Sequence, residues 1–120
     1  MLYHKEIGFP NTLVIPEMCL KLEYTKHALE RTTKTSVPIT KPSSALILIK
    51  DIVEVETKDD KTPIKIVLRT KYNNIYDLVL VLQPNYSTGY ARVITLWLND
   101  FRDTHKTLNK NLYDTPKVST

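Results

Sequence analysis

The chain has 120 residues, 42% of them hydrophobic and 25% charged, with one cysteine and a formal net charge of +4. That length suits a single domain with its own buried core. The lone Cys19 excludes an intrachain disulfide and favours a reducing, cytoplasmic setting. No run approaches the roughly 18 apolar residues of a membrane span, and no leader precedes the fold, so neither insertion nor export is expected. The modest basicity suits a phosphate-bearing partner without demanding one.

Residues 1–12, with Gly8, Pro10 and Asn11, predict an irregular arm. Thr12 to Ile15 and Met18 to Glu23 are short strand-like runs, interrupted by Pro16. Thr25 is a plausible N-cap for the following KHALERTTK, which predicts a short helix ending by Ser36, ahead of Pro38. Cys19, in an apolar run, is expected in the core rather than as a nucleophile. Residues 37–44 predict a loop. Ile52 to Thr57 alternate as a strand, whereas ALILIK before them fits either a helical turn or an extended segment. Residues 58–63 predict a hairpin connection, and Ile64 to Lys71 a strand. Asn73-Asn74 marks a turn, Tyr76 to Leu82 a strongly apolar strand, and Pro84 to Gly89 a loop. Ala91 to Leu98 is the last long strand, and it ends in a dense polar segment, Asn99 to Thr107. The pattern predicts a four-stranded antiparallel meander covered on one face by the helix, an α+β domain.

Three groups of residues could carry chemistry. Arg69 stands on a strand beside Lys65 and Lys71, where a planar guanidinium could meet phosphate oxygens or simply join a solvated face. His27 and Arg31 lie one helical turn apart, a pairing suited to acid–base work beside a phosphate. Glu30 and Lys34 make an ordinary salt-bridged helix the alternative. Asp103 precedes His105 by two residues and could orient its imidazole, or could merely cap the turn with Thr104 and Thr107. No phosphate-binding loop, dinucleotide fingerprint, nucleophile elbow or metal-ligand spacing is present, so neither cofactor nor metal is expected.

Taken together, K-H-A-L-E-R on the helix, I-V-L-R-T followed by Tyr72, D-L-V-L-V-L, and V-I-T-L-W-L-N resemble the RelE-like and BrnT-like small RNase toxins. These belong to the barnase–EndoU–colicin–RelE fold group. The likeness is to phage- and mobile-element-encoded members whose last strand runs into D-x-H-x-T-L. It covers residues 20–113, leaving 1–19 as an added arm and 114–120 as a flexible tail. The resemblance implies an N-terminal helix packed on a twisted antiparallel sheet of about four to five strands. It further implies a metal-independent endoribonuclease that binds RNA on the sheet face, with the ribose hydroxyl as nucleophile. Carried over, His27, Arg31, Arg69 and His105 would be catalytic. Lys65, Lys71, Tyr72, Asn99 and Lys106 would bind RNA, supported by Asp103 and Thr107. Implied partners are RNA, including ribosome-associated mRNA, and an antitoxin or host protein in the host cytoplasm. The alternative is a catalytically inactive phage accessory protein that binds a host protein or nucleic acid.

Overall fold

A computed structural model describes residues 1–103. Its elements are β1 (Leu2–His4), β2 (Cys19–Tyr24), α1 (Lys26–Thr33), β3 (Ser44–Leu46), a short 3-10 turn (Ile49–Asp51), β4 (Ile52–Thr57), β5 (Pro63–Lys71), β6 (Tyr76–Asn85) and β7 (Tyr90–Asp100). All seven strands join one sheet in the order β1-β4-β5-β6-β7-β2-β3. The antiparallel meander β4 to β7 is present, built from the alternating runs and the turns that separate them. Asn73 makes one of those turns by accepting the Ile75 and Tyr76 N–H groups on its Oδ1, each at 2.8 Å. In another, Asp59 accepts from Lys61 and Thr62, and Asp60 takes a left-handed backbone with φ 59°.

The expected helix-on-sheet arrangement of four to five strands is not what forms. Among the described residues the fold is mostly β, with one short α-helix, because three short segments outside the meander also find strand partners. Leu2–His4 pairs with β4, β2 pairs in parallel with β7, and β3 pairs with β2. The helix buries only Ala28 and Thr32, too small an apolar stripe to cover a sheet face. It seals an edge instead. β2 accompanies β7 only from Tyr90 to Val93. Beyond that point Thr25 donates from its backbone to Val93 O and from its hydroxyl to Ile94 O, while Arg31 Nε reaches Leu96 O at 3.4 Å. Edge backbone that would otherwise invite pairing is thereby covered.

Two expectations about single residues also change. Pro84 lies within β6 rather than a loop, which is tolerable because β6 has no β5 partner past Leu82. Cys19 is exposed, on the side of β2 opposite buried Leu20.

The sheet is strongly curled. From Leu46 to Ile52 the chain can span at most ~21 Å, whereas five strand spacings in a flat sheet, from β3 to β4, need ~24 Å. The concave face carries the larger core, including rows such as Leu68–Leu80–Leu96 and Ile66–Leu82–Val93, closed by Ala28, Ile39 and Ile47. The opposite face carries a smaller cluster of Val53, Val67, Val79, Val81 and Trp97. Fully burying each such side chain contributes about 1.5–3 kcal/mol.

Candidate nucleic-acid interface

The helix places His27 and Arg31 on the flank next to its buried Ala28–Thr32 stripe, and that flank lies along the edge of β7 that the helix seals. The capping hydroxyl of Thr25 fixes where the helix starts, accepting from Ala28 N at 3.1 Å while donating to Ile94 O. One turn on, the half-buried Arg31 lines a pocket of about 350 Å³ with Ser36, Tyr76, Trp97 and Asn99. Among the described residues no carboxylate lies within ion-pair distance of Arg31. His27 Nε2 is buried and has no hydrogen-bond partner among them. A half-buried guanidinium without a carboxylate costs free energy unless a ligand supplies acceptors.

Arg69 is in a different situation. It stands in register with Val79 and Trp97, two strand spacings from β7. Its Nε donates to Asp77 Oδ2 at 2.7 Å, and its Nη2 donates to the carbonyls of Asp100 and Asp103 at 3.2 and 2.7 Å. With its side chain 11% exposed, this cation is neutralised, and it ties the end of β7 to β5 and β6.

The remaining candidates are dispersed. Lys65 Nζ faces Glu56 across the strand pair at 3.5 Å. Lys71 is exposed at the end of β5. Tyr72 packs against the concave core, and its hydroxyl accepts from Thr40 N at 3.0 Å, which lowers its pKa. Its ring is therefore a loop anchor. Asn99 lines the Arg31 pocket and donates to Asp100 O. The Asp103 carbonyl is taken by Arg69. His105, Lys106 and Thr107 lie outside the described residues. The structure thus brings Arg31 and Asn99 to one pocket, with Arg69 bonded to the same Asp100 carbonyl as Asn99, while His27 lies a helical turn from Arg31 outside the pocket lining.

No protein-family model matches the chain, and neither does a curated protein or a solved structure. The chemistry of the site rests on its own geometry. Among the described residues no cluster of His, Cys, Asp and Glu could hold a metal ion, and no helix is long and apolar enough to cross a membrane.

Sequence reasoning missed Tyr76 and Ser36 as lining residues. Tyr76 opens an apolar strand and carries no periodic signal of its own. Ser36 reaches the pocket only because the segment after α1 turns back toward the sheet, with Ile39 N donating to Thr32 O.

Proposed function

We propose that this chain binds single-stranded RNA in the pocket between α1 and the end of β7 and cleaves it there. The observation that carries the reading is Arg31, half-buried, without a carboxylate partner among the described residues, and set beside Tyr76 and Asn99. A guanidinium next to an aromatic wall is a combination that takes a phosphate and its neighbouring base. His27 supplies the imidazole that would move a proton to or from the ribose and leaving oxygens. Arg69 has no direct part, since its charge is consumed by Asp77. That neutralisation favours a second reading, a binding protein of the same site without cleavage.

Incubation of the full chain with mixed RNA, in chelator and over a salt series, tests both readings. Binding should weaken about tenfold in Arg31→Ala, the loss of one charge-assisted contact. The slope of log affinity against log salt should also become shallower by about 0.7. Cleavage should disappear in His27→Ala while binding persists. Binding that depends on Arg31 without any cleavage selects the second reading. RNA binding unchanged by Arg31→Ala overturns both.

A further inference from the structure

A second opening, with its own lining residues, lies where the curled sheet fails to close. It is a groove of about 500 Å³ with a floor from Leu48, Leu68, Leu78 and Leu80, running between β3 and the far end of β5. Both walls are strand edges with backbone to spare. Ile47 N donates to Met18 O and Leu22 N donates to Ser43 O, so alternate residues of β3 face β2. The N–H and C=O of Ser44 and Leu46 therefore point away from the sheet. Across the groove, the last β4 pairing to β5 is Ile52 with Leu68, and Tyr72 N donates toward β6. The backbone of Lys71 is thus directed outward, beyond the end of β4.

We propose that an extended peptide strand of alternating apolar and acidic residues, from a partner protein, inserts into this seam and pairs with β3. The alternation follows from the two faces of the sheet. Side chains pointing to the concave face would meet Leu48, Leu78 and Leu80. Those pointing to the convex face would meet Lys71, which shares that face with Arg69 by the strand's alternation. Neither Lys71 nor Lys41, which flanks the groove between Thr40 and Pro42, has a carboxylate within ion-pair distance among the described residues. Asp51 is an acidic group on the groove lining, so acidic side chains are directed to the Lys71 side. Leu46 is 54% exposed at the edge where the strand would lie.

The test is fluorescence polarisation of the full chain with a labelled peptide of about eight residues alternating valine and glutamate, long enough for one strand. The same peptide N-methylated at alternate amides keeps every side chain but loses one row of donors. Binding should weaken about tenfold on N-methylation, as expected for lost backbone hydrogen bonds. Leu46→Pro, which removes an outward N–H that β2 does not use, should weaken it similarly, and Leu46→Ala should weaken it less. Arg31→Ala should leave it unchanged, which separates this surface from the RNA site. Absence of binding, or equal binding of the N-methylated peptide to the wild-type chain, overturns the proposal even if Leu46→Pro fails to fold.

Discussion

Arg69 and Arg31 are the same residue type put to opposite uses, and the difference is whether a carboxylate sits beside the guanidinium. Asp77 Oδ2 lies 2.7 Å from Arg69 Nε, on a strand neighbour. Asp77→Ala should therefore leave a nearly buried cation unpaired and lower unfolding stability by about 2–3 kcal/mol in urea titration. Arg31→Ala, removing one long bond to Leu96 O, should cost less than about 1 kcal/mol. Similar losses for both would contradict this division. A second residue-scale effect sits at the end of β7. Arg102 donates its side chain and its backbone N–H to Asp100, holding that carboxyl down to about 2. Its folded-state pKa is depressed, so the contribution is present above the ordinary carboxylate pKa of about 3.9 and is lost as pH falls through about 2. An NMR titration should find Asp100 near 2 in the native chain and back toward the ordinary value in Arg102→Ala.

At the scale of elements, the helix matters less as a packing layer than as a cover for a strand edge. Eight residues with two buried positions would be marginal alone. Thr25 holds both ends of the arrangement, capping the helix and bonding the β7 edge. Thr25→Ala should cost about 1–2 kcal/mol, and hydrogen exchange should accelerate in α1 more than in β5 or β6. Equal acceleration throughout would mean that the helix and the sheet open as one unit. The helix itself was legible, since its cap, its length and the Pro38 stop are local. Its docking site was not, because that depends on β2 ending four residues into the β7 edge.

At the scale of the whole molecule, the curl of the sheet decides where both openings fall. Two phenols are half-buried in the fold. The Tyr24 hydroxyl donates to Pro42 O and the Tyr86 hydroxyl to Pro63 O, and burial pushes each up to about 12. A raised phenol pKa favours the protonated form in the fold. The stabilisation is then fully present below the ordinary value near 10 and is lost as pH rises through about 12. Ultraviolet titration should show at least two tyrosines ionising late, together with alkaline unfolding; seven tyrosines ionising together near 10 would contradict the burial.

The sequence by itself determined the meander, its turns and the helix, because alternation, Asn and Asp turn chemistry and a threonine cap act over a few residues. It also placed His27 and Arg31 on one helical flank, since a 3.6-residue period needs nothing else. Only the tertiary structure decided that residues 2–4 and 44–46 become strands, for three residues acquire strand identity from the edge they join. It alone decided that Arg69 meets Asp77 while Arg31 meets no carboxylate among the described residues. Register between distant strands makes that choice, and no local pattern encodes it.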